Sequence, residues 1–284
     1  MTSKEVQNLS YCGRQAHDYD RDRFLTALFA PAENREALFA LTAFNLEIAK
    51  TREVVTEPML GQIRLQWWRD AIAEVYEGAP RRHEVIEPLS EAVSQRGLTR
   101  AHFETLIDAR EDDLTETAPP TLSALEDYCT RTSAPLIQLQ LEVLGVGQGA
   151  AHEAAKSVGA AWALTGLMRA VPFHARQRRV YLPTAVVEEV AVEMGELFEL
   201  RPHAGLAKAV EKLADRAAAL LKVARRLNSE VGKAALPPLL LGTLTAGYLK
   251  RIRGAHFDVF SPQVQEADPL RQAKLLWASL KGRF

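Results

Sequence analysis

Apolar residues recur along this chain at helical spacing. Ala37, Leu41, Phe44 and Ile48 step by four, three and four, and Leu65, Trp68, Ile72 and Tyr76 by three, four and four. Each set lines one face of a helix. From Leu206 the same rhythm runs through Val210, Leu213, Ala217, Leu220, Ala224 and Leu227 to Val231, about seven turns at 3.6 residues each. Between Ala150 and Ala170 the residues are apolar nearly all round, which predicts a central helix buried on every side. No alternating strand pair and no Asn-Gly or Asp-Gly hairpin turn interrupts the pattern. Its breaks are short: Pro58-Met59, Gly78-Ala79-Pro80, Ala118-Pro119-Pro120, Arg201-Pro202 and Pro237-Pro238. With no Ser/Gly linker and no internal repeat, the expectation is one all-α domain over residues 1–284, with 1–20 and 262–284 at its periphery.

Composition narrows the function classes. A chain of 284 residues, 47% hydrophobic and 25% charged, is ordinary globular protein with a large core. Its net charge of −1 gives no global attraction to nucleic acid, so none is expected as a partner. Cys12 and Cys129 make no disulfide framework and agree with a reducing compartment. The first eight residues carry neither an apolar signal core nor an Arg-rich presequence, so the expected home is the cytoplasm. The most apolar stretch, Ala234 to Leu249, is shorter than the roughly 20 residues a membrane span needs and holds Pro237, Pro238, Gly242 and Gly247.

Two cationic segments leave membrane contact open. Lys250, Arg251 and Arg253 follow the apolar stretch, and Lys274, Leu275, Leu276, Trp277, Leu280, Lys281 and Arg283 close the sequence. Either an interfacial helix rests on an anionic leaflet, peripheral on the inner face of the inner membrane, or a helix docks on its own core with a solvated basic edge.

Four segments, in order, carry a resemblance. They are Phe39 to Lys50; Arg64-Leu65-Gln66-Trp67-Trp68-Arg69-Asp70 with Tyr76 and Gly78; Asp127-Tyr128-Cys129; and Leu164 to Pro183, ending Val180-Tyr181-Leu182-Pro183. Together they resemble the squalene and phytoene synthases. That resemblance implies an isoprenoid-synthase-like helical bundle with a central cavity, the Phe39–Arg52 and Ala155–Val171 helices facing each other across it. Those enzymes carry two Asp-rich motifs that share Mg²⁺ ions and hold diphosphate, as hard cations need oxygen ligands. Here the first motif's acidic positions read Leu46, Glu47 and Lys50, and the second falls on Ala170 and His174. Pro31 to Arg35, Ala43 to Glu47 and Phe257 to Pro262 are similar to the family branch of mitochondrial complex I assembly factors, which lacks the acidic motifs too.

Candidate residues follow from that frame. Arg169, Arg179 and Tyr181 are the candidates for a remnant anion site, and Arg176 and Arg178 extend it into a basic surface for an anion or an acidic partner. The bland alternative for the run is a solvated charge segment after a helix. Phe44, Trp67, Trp68 and Tyr128 are candidates to line the cavity. Adjacent residues on a helix point about 100° apart, so at most one of Trp67 and Trp68 should face any one cavity. Asp108, Glu111, Asp112 and Asp113 form the densest acidic cluster and are read as solvated or salt-bridged.

Two functions remain in view. The resemblance to the assembly-factor branch implies a non-catalytic protein assisting respiratory complex I, with its subunits or assembly intermediates as partners, membrane lipid or isoprenoid as further ligands, and no cofactor. The alternative is a prenyltransferase condensing two prenyl diphosphates head to head, which would need Mg²⁺. Loss of one positioned charge-stabilising group typically costs on the order of 100-fold or more, and here several are missing together, which favours the first.

Overall fold

The computed structural model describes residues 8–55, 57–115 and 117–284, so the N-terminal residues 1–7, read above for a targeting segment, lie outside it. The chain opens with α1 (Tyr11–Tyr19), α2 (Arg21–Ala27), α3 (Ala32–Ala49), α4 (Thr51–Val54) and α5 (Pro58–Tyr76). Then come α6 (Ile86–Arg96), α7 (Arg100–Asp108), a 3₁₀ turn (Ala109–Leu114), α8 (Leu122–Val143) and α9 (Ala150–Arg176). The remainder holds α10 (Thr184–Glu189), α11 (Met194–Phe198), α12 (Ala204–Arg226), α13 (Leu236–Leu239), α14 (Leu241–Gly254), α15 (Pro262–Gln265) and α16 (Arg271–Lys281). Among the described residues there is no strand, and no helix is long and apolar enough to cross a membrane.

Local chemistry sets the helix ends. The Ser10 side chain accepts from the Gly13 amide, Asp20 from Arg23 and Thr121 from Ala124, capping α1, α2 and α8. Pro58 starts α5, where its missing N–H has no intrahelical partner to lose. Gly97 and Gly282 end α6 and α16 in the left-handed region that a side chain resists.

α8 and α9 form an antiparallel hairpin at the centre, and the other long helices pack around it. They approach closely at Gly159, where an added Cβ would stand 2.7 Å from the Ala134 backbone. α1, α3, α5, α6 and α7 build one core against α8, around Phe24, Phe44, Trp68 and Phe103. α9, α12 and α14 build a second around Leu164, Met168 and Leu213. α13, α14 and α16 close the far side of the hairpin.

Described residues of both flanks reach the core: Cys12, Ala16 and Leu275 are each 0% exposed, and Phe284 packs beside Gly242. Two expectations need correction. The rhythm from Leu206 overshoots the helix, because α12 stops at Arg226; Leu227 and Val231 reach the core from the turn beyond it. α9 is not buried on every side, since Glu153, Lys156 and Gly166 are exposed.

The hairpin contact yields a paired prediction. Gly159→Ala should lower unfolding stability by about 1–3 kcal/mol, because neither backbone can yield without moving a helix. Gly166→Ala, with nothing within 4 Å of the added carbon, should be neutral or gain up to about 1 kcal/mol of helix propensity. Urea unfolding of both variants measures the difference.

Candidate functional site

α3 and α9 face each other across a cleft of about 260 Å³, with α8 as its floor. Asn45 from α3, Tyr128 and Thr132 from α8, and Trp162, Gly166, Ala170 and His174 from α9 border it, together with Arg23 and Arg110. The helices that sequence placed across a cavity therefore stand across one. On these lining residues, Asn45 Oδ1, Arg23 Nε and Arg110 Nε have no hydrogen-bond partner among the described residues. The wall is polar, and its two guanidinium groups are paired, Arg23 with Asp20 at 2.7 Å and Arg110 with Asp113 at 3.3 Å.

The acid of the first motif lies off this cleft, bordering another groove with Arg64, Trp67 and Trp68, and is closed into ion pairs. Glu47 is 8% exposed, and both of its oxygens are engaged: Lys50 Nζ contacts Oε1 and Arg64 Nη2 donates to Oε2 at 2.7 Å. Arg64 comes from α5, so the helix of the Trp pair supplies the neutralising charge. Leu46 beside it offers no ligand atom.

The α9 wall offers still less. Ala170 borders the cleft with a methyl group. Burial first, and then the neighbouring Arg179, pushes the His174 imidazole down to about 4, so it is neutral near pH 7. Its ring lies 4.6 Å from that of Tyr181.

A buried carboxylate organises the end of α9. Asp113, 5% exposed in the 3₁₀ turn, accepts at Oδ1 from the Tyr128 and Tyr181 hydroxyls, each at 2.7 Å. Arg110 Nη1 donates to its Oδ2 at 3.3 Å, and Arg179 Nη2 donates to its main-chain oxygen at 2.6 Å. Burial and then the Asp113 charge hold both tyrosines far above their ordinary range, as protonated donors.

This arrangement divides the proposed anion set. Arg179 and Tyr181 serve Asp113, whereas Arg169 turns to another cluster, its guanidinium 3.9 Å from the Tyr248 ring and Nε 3.3 Å from the Val264 oxygen. Tyr248 in turn donates to Asp22, which Arg271 Nη1 also reaches at 3.2 Å. Arg176 is exposed, and exposed Arg178 lies 5.7 Å over the Phe198 ring with φ of 55°. Arg178 and Arg179 also border a second cleft of about 490 Å³ with Arg52 and Gln177.

The expected cavity aromatics divide as well. Tyr128 borders the central cleft, but Phe44 does not: it is 0% exposed, edge to face with Trp68 at 5.5 Å and Phe103 at 5.4 Å. One residue along the helix, Asn45 turns to the cleft instead. Trp67 and Trp68 both border a separate groove of about 550 Å³ with Leu60 and Ile63, because their rings meet edge to face at 4.9 Å. Arg81 covers Trp67 at 4.8 Å.

The acidic cluster is salt-bridged, as read, but to separate partners. Asp108 and Glu111 take Arg69 at 2.7 and 2.5 Å, and Asp112 takes Arg131 at 2.7 Å. Only Asp113 is buried among them. Sequence reasoning missed the roles of Arg64, Asp22 and Tyr248, whose partners lie 17 or 226 residues away, and of Arg110, which pairs within its own turn; an unpaired Glu at a half-lost motif was the one signal pointing toward Arg64.

The donor set does not fit a shared Mg²⁺ cluster. Among the described residues, no three His, Cys, Asp or Glu side chains converge on a possible metal position, and the surviving Glu47 is occupied by two cations. The cleft can instead hold a polar or anionic guest directly through guanidinium and amide groups.

A sequence model described as squalene/phytoene synthase matches residues 16–271. The chain belongs to the squalene/phytoene synthase family. It is similar to a Bos taurus protein described as NADH dehydrogenase (ubiquinone) complex I, assembly factor 6, 31% identical over 274 residues, 96% of this chain and 82% of that one. A presqualene diphosphate synthase of Rhodopseudomonas palustris is 26% identical over 214 residues, 75% of this chain and 76% of its own. A solved dehydrosqualene synthase superposes with a TM-score of 0.84 at 20% identity, covering 98% of this chain and 97% of its own. That likeness shows the isoprenoid-synthase fold of this family member and no more.

Two measurements probe the site. Asp113→Ala strands Arg110, Tyr128 and Tyr181 in the interior and should cost about 3–5 kcal/mol in urea unfolding at neutral pH. His174 makes stability fall with acid: an unfolded histidine takes its proton near pH 6.5, the folded one near 4. Between those values the unfolded chain binds more protons, so stability drops as pH falls through the window. His174→Gln should flatten that fall by up to about 1.4 kcal/mol per pH unit, reduced by solvent screening, in unfolding curves compared from pH 7 to 4.

Proposed function

We propose that this protein does not condense prenyl diphosphates and instead assists assembly of respiratory complex I, the membrane-bound NADH:quinone oxidoreductase, at the membrane face where that enzyme is built. The observation that carries the reading is that the surviving Glu47 is held by Lys50 and Arg64 while Ala170 and neutral His174 stand at the second motif's positions. Head-to-head condensation needs diphosphate charge neutralised as it leaves, and the family's acid-held Mg²⁺ has no ligand set here. The relatives described as complex I assembly factors support the positive half, since their likeness covers more of this chain than that of the presqualene diphosphate synthase.

In this role the scaffold acts through its surface, toward complex I subunits or assembly intermediates. Of the basic run, Arg176 and Arg178 are free to meet an acidic partner, whereas Arg179 is committed to Asp113.

The purified protein should neither bind Mg²⁺ calorimetrically nor convert farnesyl or geranylgeranyl diphosphate. Turnover abolished by EDTA would restore the prenyltransferase reading. A strain lacking the gene should lose assembled NADH:quinone oxidoreductase on a native gel and regain it with the wild-type gene. Normal assembly in that strain would remove the role. Arg176→Glu with Arg178→Glu should rescue poorly while folding normally, as exposed substitutions usually cost within about 0.5 kcal/mol.

A further inference from the structure

α16 resolves a choice that the sequence leaves open. It docks on the core through Leu275, which is 0% exposed, yet Leu276, Trp277 and Leu280 remain 54%, 53% and 76% exposed. At about 100° per residue, Ala273, Leu276, Trp277 and Leu280 share the sector opposite Leu275. Leu270, just before the helix, is 61% exposed. A helix of eleven residues thus docks through Leu275 and the partly buried Ala278 and presents its larger apolar side chains outward.

The charges left at the outer side of this ridge are cationic. No Asp or Glu lies between Pro269 and Phe284; Arg271 pairs with Asp22 at 3.2 Å and Lys274 with Asp268, which leaves exposed Lys281 and Arg283. Lys281 Nζ sits 3.7 Å over the Trp277 ring, at the edge of the apolar face. Arg21 stands near Arg271 at the opposite end of the helix, close enough that its charge is disfavoured, after burial, by that neighbour. The other cationic segment is otherwise employed: Arg251 donates to the Gln263 oxygen at 2.7 Å, Arg253 pairs with Asp215 at 2.9 Å, and the apolar stretch before them is core.

We infer that the outer face of α16, Leu276, Trp277 and Leu280 rimmed by Lys281, is a docking surface for an anionic lipid bilayer. Exposed cations of one sign call for an anionic complement. A convex ridge with a Leu at its crest inserts into a fluid interface without needing a matching pocket. Indole and lysine beside it sit where headgroups offer both apolar contact and phosphate. The surface goes beyond the assembly role and does not depend on it.

The test uses the full chain with phosphatidylcholine vesicles, with and without phosphatidylglycerol. Wild type should sediment with the anionic vesicles, release as salt rises, and show quenching by brominated lipid that disappears in Trp277→Phe. Leu276→Glu with Leu280→Glu should weaken vesicle binding by about tenfold or more at unchanged circular dichroism. Lys281→Gln should narrow the preference for anionic vesicles. Absent binding by wild type, or equal binding by the double variant, would overturn the proposal. So would a wild-type dimer that the double variant splits while neither form binds vesicles, since a second copy would then cover the ridge.

Discussion

A carboxylate removed from water must be met by donors, and Asp113 is the place where this constraint shapes the most structure. Its acceptors draw Tyr128 from α8, Tyr181 and Arg179 from the segment after α9, and Arg110 from its own turn. Those contacts fix where α9 ends and how the following chain runs back past α8. They also place Arg179 next to His174, whose ring is tilted against that of Tyr181, in a setting where burial and then that guanidinium disfavour a proton. Asp113 thus acts on the α9 wall through the arginine it positions.

The same constraint acts on Glu47 of α3, which borders the groove of the Trp pair rather than the cleft. A single buried acid without metal would be costly, and Lys50 and Arg64 remove that cost by pairing with it. Around the cleft the charges are paired too, Arg23 with Asp20 at 2.7 Å and Arg110 with Asp113 at 3.3 Å. Adding a carboxylate at Ala170 or His174 alone would leave Lys50 and Arg64 in possession of Glu47. Changes on both helices would be needed before a divalent cation had a place, so the departure from the family's metal chemistry is distributed rather than resting on one substitution.

The architecture was legible because periodicity reports burial directly. The steps from Ala37 to Ile48 and from Leu65 to Tyr76 correspond to α3 and α5, and the proline and glycine breaks fall at or beside helix ends. The facing of α3 and α9 was legible only through resemblance, since spacing does not reveal which helix opposes which. The site was half legible. Tyr128 lines the cleft, but Phe44 points the other way, because a one-residue step turns a helix by about 100° and gives the cleft to Asn45. Arg169 and Arg179, ten residues apart, looked like one cationic site until Tyr248 and Asp113 claimed them separately. Those claims span 66 residues in one case. No local pattern encodes such a pairing.

The terminal helix shows why a sequence can support two readings that are both true. Amphipathicity fixes that a helix has an apolar side, but not how many apolar sides its surroundings can use. α16 docks through Leu275, with Ala278 partly buried beside it, on a core of Leu236, Leu241, Leu244 and Phe284. The remaining leucines and Trp277 are left over from folding, and a protein seldom keeps such a face uncovered without a partner for it. A family fold in which no three described carboxylate, His or Cys side chains converge can still contribute geometry: a rigid bundle, a polar cleft and an outward ridge, held in fixed relation by the hairpin of α8 and α9. Fold does not decide which of these is used. Two places can still gain free energy by contact: the cleft, through the unpartnered Asn45 Oδ1, Arg23 Nε and Arg110 Nε, and the outer face of α16, where apolar side chains stand beside exposed Lys281 and Arg283.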